Sequence, residues 1–225
     1  MKYKSSFLQI SCDGGAATGK STGAKLISKK YKLKFLSSGL LYRYASFLIL
    51  KYQPKNISTL LKKKFDSLNY SKLNKINLHD PTISAHSARI AKMYKVREIL
   101  KKFQINFSKK NRNCCIEGRD ISIKILPKSD LKFFFKCNLE IAALRRFKEL
   151  KKANPKIKLK EVKKALRMRN ISDTKRKNSP LLKHRDSVEI DTGKLGKKAM
   201  MVKMSKHINK VINIKKNESS GRIKK

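Results

Sequence analysis

The stretch GGAATGKST, Gly14 to Thr22, satisfies the pattern Gly-x-x-x-x-Gly-Lys-Ser. Before it, SSFLQISC (5–12) reads as a short buried strand. After it, Lys20 to about Tyr31 has helical spacing, with Ala24 and Ile27 on one face beside Leu26. Strand, glycine loop and helix form the context in which this pattern makes a phosphate cradle. The glycines let successive backbone N–H groups curl around phosphate oxygens. Lys20 then reaches the β- and γ-phosphates, and Ser21 binds Mg²⁺ at the start of the helix. The expected donor loop is Gly14, Gly15, Ala16, Ala17, Thr18, Gly19, Lys20, Ser21 and Thr22. Asp13 either braces it or touches the metal through water.

The competing account is a flexible Gly/Ala turn in front of an incidental lysine. The chain has 225 residues, with 58 Lys and Arg against 15 Asp and Glu, for a net charge of +43. Such a charge fits an anionic partner, nucleic acid above all, or a composition biased towards lysine. Only 12 of the basic residues are Arg, and the lysines are dispersed along the whole chain with no patch or arm. The dispersal favours bias, leaving nucleic acid as a non-specific partner. Lysine placement therefore carries little information. Arginine placement carries more, because the planar guanidinium suits bidentate phosphate recognition.

Other classes are excluded quickly. Cys12, Cys114, Cys115 and Cys137 contain no C-x-x-C pair, and His79, His86, His184 and His207 show no ligand spacing. Neither a metal cluster nor a disulfide framework is expected, and a reducing cytoplasm suits these thiols. No apolar run approaches 18 residues, so no membrane partner is expected. Asp13 and the glycines interrupt the N-terminal apolar patch, which makes a poor signal peptide.

Working outward, LKFLSSG (33–39) reads as a second strand and LLYRYASFLILKY (40–52) as a helix. Residues 53–86 are polar and read as the least regular part. Helical spacing resumes over 87–107, and NCCIEGRD (113–120) reads as a strand ending at Gly118. LKFFFKC (131–137) is the strongest strand, followed by a helix containing ALRRFKELKK. A basic helix over 159–170 leads into the polar run NISDTKRKNSP, and a strand at 187–190 and a helix at 197–214 close the domain. The alternation predicts an α/β fold with a mostly parallel sheet and helices on both faces. No Asn-Lys-x-Asp element for reading guanine is present, and only Ile116-Glu117 approaches the acidic strand end of a large ATPase. A small kinase fits the length.

Five of the twelve arginines fall in an ordered set: Ser38-Gly39-x-x-Tyr42-Arg43, Val96-Arg97-Glu98, Gly118-Arg119-Asp120, and Arg169…Asp173…Arg176 followed by Pro180-Leu181. Together with the loop, these motifs resemble the cytidylate kinases in order and span, from residue 8 to about 192. The resemblance implies a P-loop core with a small monophosphate-binding insert (about 53–86) and a mobile lid (about 151–182). It implies one kinase domain over 1–214, and the polar, charged composition of KKNESSGRIKK predicts a disordered basic tail at 215–225. It implies transfer of a phosphoryl group from ATP, with Mg²⁺, to CMP or dCMP in the cytoplasm. Lys20, Arg119 and Arg169 are then catalytic. Ser38, Arg43, Arg97, Arg119, Asp120, Arg169, Asp173 and Arg176 bind the acceptor: Arg97 and Asp120 near cytosine, Asp173 on the sugar hydroxyls. Convergent arginines also suit phosphoryl transfer on physical grounds, since charge neutralisation and alignment dominate its catalysis.

Four departures stand out. Gly15 replaces a proline, Ser37 replaces an aspartate, Asn170 replaces an aspartate, and the family's base-facing serine falls on Ala88 with Ser87 beside it. The acceptor base thus stays open between cytosine and uracil. A P-loop protein that grips nucleic acid is the alternative from another class. Arg145 and Arg146 face either the donor phosphates or solvent. A monomer is expected.

Overall fold

The computed structural model describes residues 7–152 and 154–221. Among these, β1 (Gln9–Gly14), β2 (Lys34–Ser37), β3 (Cys114–Gly118), β4 (Leu131–Lys136) and β5 (Val188–Asp191) form one sheet. Its order is β2-β3-β1-β4-β5 and every pairing is parallel. Parallel neighbours need crossovers, which the helices supply, so both faces are covered. On one face α2 (Ser38–Tyr52), α3 (Ile57–Asp66) and α5 (Tyr94–Lys110) pack Leu41, Leu61 and Leu100 around Leu36 and Ile116. On the other, α1 (Lys20–Lys30) and α8 (Lys197–Gly221) pack Ile27, Met200 and Met204 on Ile10, Phe133 and Phe135. Cys114 and Cys115 point to opposite faces of β3, so one enters each core. All four cysteines are free thiols: three are buried, and Cys137 is partly exposed.

The fold matches the expected class, with five differences in the elements. The β1 ladder begins at Gln9, and residues 5–6 of the expected strand lie outside the described residues. The 53–86 stretch is ordered: α3, a 3-10 turn at Tyr70–Lys75 and the start of α4 (Pro81–Ile90) occupy it. Its caps explain why. The Asn56 side chain accepts from the Thr59 N–H, and Asp80 accepts from Thr82 and Ile83 with Pro81 in the first turn. The single helix expected over 87–107 is two, α4 and α5, broken at Ala91–Met93.

The last two helices run longer than their apolar periodicity. After α6 (Leu139–Lys151), α7 (Leu159–Lys175) carries on through the polar segment NISDT. Arg169 and Asp173 are consequently four residues apart on one helix, along one face. α8 continues through Gly221, so residues 215–221 are helical where a disordered tail is expected. The remainder of that tail lies outside the described residues.

Candidate active site

The loop sits at the C-terminal end of β1, in the crevice where parallel α/β sheets bind ligands. A Cβ on Gly14 would stand 2.4 Å from the Phe135 carbonyl oxygen, so only glycine lets β1 pass this close to β4. Gly19 caps α1 at φ 76°, in the left-handed region. Lys20, buried behind it, donates to the Gly15 carbonyl at 3.3 Å and lies 3.7 Å from Glu117 Oε2. Burial, seconded by Arg119, brings the Lys20 ammonium down to about 8 while Glu117 opposes the shift.

Glu117 was not among the expected site residues. It ends β3, accepts a 2.5 Å hydrogen bond from Ser37 Oγ, and has the Ser21 hydroxyl nearby. Burial pushes its carboxyl up, but Lys20, the serines and Arg119 outweigh burial and hold it below the usual range. The signal was present in CCIEG, an acid closing an apolar strand. Its place beside Lys20 depends on β3 lying next to β1, which no local pattern reveals. Ser37, in its aspartate-replacing position, serves both Glu117 and the Leu40 N–H that begins α2.

Asp13 is a brace. Its Oδ1 accepts from the Ile121 N–H at 2.8 Å, and its Oδ2 accepts from the Ser122 N–H and Oγ at 2.8 and 2.6 Å. These bonds tie β1 to a π-helical turn, Ile121–Ile125, and so fix where Arg119 and Asp120 emerge. Of the two roles considered for Asp13, these three bonds support the brace. Burial pushes its carboxyl up to about 6 against those three hydrogen bonds.

Thr192, just past β5, was also missed, and no sequence motif marks it. Its hydroxyl donates to the Thr18 carbonyl at 2.9 Å, and Arg145 grips it through Oγ1 at 3.1 Å and its carbonyl at 2.8 Å. Arg145 thus supports the loop from behind. Arg146 pairs with Glu149, and its charge is felt at both Arg43 and Arg169.

The expected acceptor residues gather across the mouth of the loop. Arg43 donates to the Leu78 carbonyl at 3.0 Å and to Ser84 Oγ at 2.5 Å. Ser38 is buried at the start of α2, beside Gly118. Arg97 pairs with Asp120 at 2.5 Å, donates to the Ala91 carbonyl at 3.1 Å, and lies 5.9 Å from the centre of the Tyr42 ring. Asp173 bridges Arg119 at 2.8 Å and Arg176 at 3.6 Å, and Arg176 reaches Asp120 at 3.9 Å. Burial would raise Asp173, but Arg119 outweighs it and holds the carboxyl low. Burial and Arg119 bring the Arg169 guanidinium down to about 10. Arg176 Nη2 is buried and has no hydrogen-bond partner among the described residues, a donor left to spend.

Two openings serve this cluster. A cavity of about 340 Å³ meets Tyr42, Arg97, Asp120 and Ser179, and a cleft of about 1200 Å³ runs from Ser21, Ser37 and Glu117 past the β2 edge. Lys20, Arg43, Arg97, Arg119, Arg169 and Arg176 outnumber Glu117, Asp120 and Asp173 among these site residues, which leaves the cluster positive and suited to phosphate-bearing ligands.

A family model described as cytidylate kinase matches residues 10–210. A cytidylate kinase of Clostridium tetani (strain Massachusetts / E88) is 33% identical over 214 residues, covering 90% of this chain and 94% of that protein. One from Clostridium botulinum (strain Hall) is 34% identical over 197 residues, covering 82% and 90%. In fold, the chain is similar to an uncharacterized protein from Eubacterium ventriosum at a TM-score of 0.53 and 14% identity, covering 90% of this chain and 98% of that one.

Proposed function

The chain belongs to the cytidylate kinase family, and we propose from that premise that it transfers the γ-phosphate of ATP to CMP or dCMP. The products are ADP and CDP or dCDP. The observation that carries the reading is the convergence of Lys20, Arg43 and Arg169 around Arg119 at the mouth of one glycine loop, where burial first and then neighbouring cations, Arg119 among them, lower all three. Phosphoryl transfer needs little covalent help, and it needs negative charge neutralised in the right place. A binder of nucleic acid has no use for such a cluster facing inward.

The roles follow from position. Loop residues Gly14 to Thr22 cradle the donor phosphates, and Lys20 neutralises charge on the β- and γ-oxygens. The nucleotide brings Mg²⁺ with it. Ser21 and Glu117 lie together where such an ion needs oxygen ligands, and they would hold it, lowering the charge the arginines must offset. Arg119 and Arg169 stabilise the transferring group. Arg43, with Ser38, grips the acceptor phosphate, Asp173 takes the sugar hydroxyls, and Arg97 with Asp120 reads the base. Arg176 spends its free donor on the acceptor.

Residues 53–86 would then form the acceptor lobe and 151–182 the lid of one domain acting as a monomer. No helix among the described residues is long and apolar enough to cross a membrane. The free thiols suit the cytoplasm, where we place the reaction.

Uridylate is a second acceptor to weigh. Ala88 lies between Ser84, which holds Arg43, and Ala91, which holds Arg97, and it offers no hydroxyl there. Neighbouring Ser87 is buried and donates to the Ser84 carbonyl. A coupled assay of ADP release against CMP, dCMP, UMP, AMP and GMP tests both readings. CMP or dCMP should give the highest rate; silence with every monophosphate would end the kinase assignment.

A further inference from the structure

Asn170 leaves α7 towards the donor loop and accepts a hydrogen bond from the Ala16 backbone N–H at 3.0 Å. The same Oδ1 lies 3.1 Å from where a Cβ on residue 15 would stand. A side chain there would push the amide back by a few tenths of an ångström, so Gly15 and Asn170 form a matched pair. The surrounding packing is apolar: Ala16 and Ala17 join Ala142, Ala143, Val162 and Leu166 of α6 and α7. Such packing is non-directional and brings the helix near the loop without fixing its rotation. A hydrogen bond at this distance is directional, and it is made one residue after Arg169 and one turn before Asp173.

We propose that Asn170 is a positioning residue: it sets the roll of α7 against the donor loop so that Arg169 and Asp173 meet the two nucleotides in register, and Gly15 admits it. The proposal rests on the phosphotransferase reading above for its effect on rate. The neutral amide makes the contact without adding negative charge beside the donor phosphates, whereas a carboxylate would keep the contact and add the charge. An error of an ångström in placing a phosphate-binding group costs up to about a hundredfold in rate.

The test compares Asn170→Ala, Asn170→Asp, Gly15→Ala and the double variant Gly15→Ala/Asn170→Ala, by ADP release and by hydrogen exchange at the Ala16 amide. Asn170→Ala should lower kcat about tenfold, with KM for CMP little changed. Asn170→Asp should recover most of kcat, since it accepts the same bond, while raising KM for ATP. Gly15→Ala should lower kcat in the presence of Asn170 and add little in its absence, a coupling expected only of groups in contact. Exchange at Ala16 should quicken in Asn170→Ala and stay slow in Asn170→Asp. The proposal falls if the two alanine effects simply add, if Asn170→Asp is as impaired as Asn170→Ala, or if Ala16 exchange is unmoved. Because exchange needs no substrate, it judges the contact even for a chain that phosphorylates nothing, so the two readings fail separately.

Discussion

Nine consecutive residues, Gly14 to Thr22, make up the proposed donor loop, whereas the proposed acceptor side draws its groups from α2, α5, the end of β3 and α7. The first region is held by backbone geometry: Gly14 against Phe135, Gly19 in the left-handed region, Thr192 on the Thr18 carbonyl. The second is held by charge. Asp120 and Asp173 tie Arg97, Arg119 and Arg176 into one chain of ion pairs, and each guanidinium would otherwise repel the next. A cradle made of backbone keeps its shape when a side chain is lost. A network made of paired charges does not.

That contrast can be attacked at its strongest point first. Lys20→Ala should lower kcat about a thousandfold with every acceptor, and Arg169→Ala by a comparable factor, because each removes charge from the transferring group. Near-normal turnover in either would remove the role assigned to it, and rapid-quench turnover measures it directly.

Next is the brace between the two regions. Asp13 titrates near 6 in the folded chain and near 3.8 when unfolded. The native state therefore holds an extra proton between about pH 4 and 6. The stability linked to it is complete below that window and is lost as pH rises through it, on the order of 3 kcal/mol. Denaturant midpoints from pH 4 to 7 should show wild type losing ground to Asp13→Asn as pH rises; the opposite slope would refute the burial argument.

Asp173→Ala sharpens the distinction itself. It unpairs Arg119 and Arg176 together and should raise KM for CMP by about tenfold or more while KM for ATP moves little. If both constants rise equally, the two regions are not independently held.

The smallest effect belongs to pH and the donor. In the proposed role the loop uses the Lys20 ammonium, which burial brings down to about 8 in the free protein. Donor affinity should fall about tenfold between pH 8.5 and 9.5, with the acceptor's unchanged. Calorimetric titration with an ATP analogue measures it, and a flat profile would show Lys20 to be fully charged.

The same contrast governs what could be read from the chain alone. The loop was legible because its chemistry is contiguous, and the arginines stood out because only twelve are scattered among 58 basic residues. Glu117, Thr192 and the partners of Asp13, Ile121 and Ser122, were not, since each contact joins segments that sequence order leaves apart. The 53–86 region was misjudged because its lysines and asparagines hide a stripe of Leu61, Phe65, Leu73 and Leu78 that fills the core. Within it, Asn56 and Asp80-Pro81 were readable caps that the polar composition overshadowed. α7 outran its apolar pattern through NISDT, where its contacts are polar: Asn170 accepts from the Ala16 N–H and Asp173 pairs with Arg119.

One consequence concerns light. Cys12, Cys114 and Cys115 are sealed between the layers, and burial pushes the Cys114 thiol up to about 12 and Cys12 well above its usual value. Cys137 alone among the four is partly exposed, at the junction of β4 and α6, where Arg145 approaches it at 3.7 Å. A maleimide dye therefore attaches at one place in the unaltered sequence, beside the helix pair that bears Arg169. Energy transfer from that dye to a fluorescent nucleotide would report the distance between this helix pair and the bound nucleotide in solution.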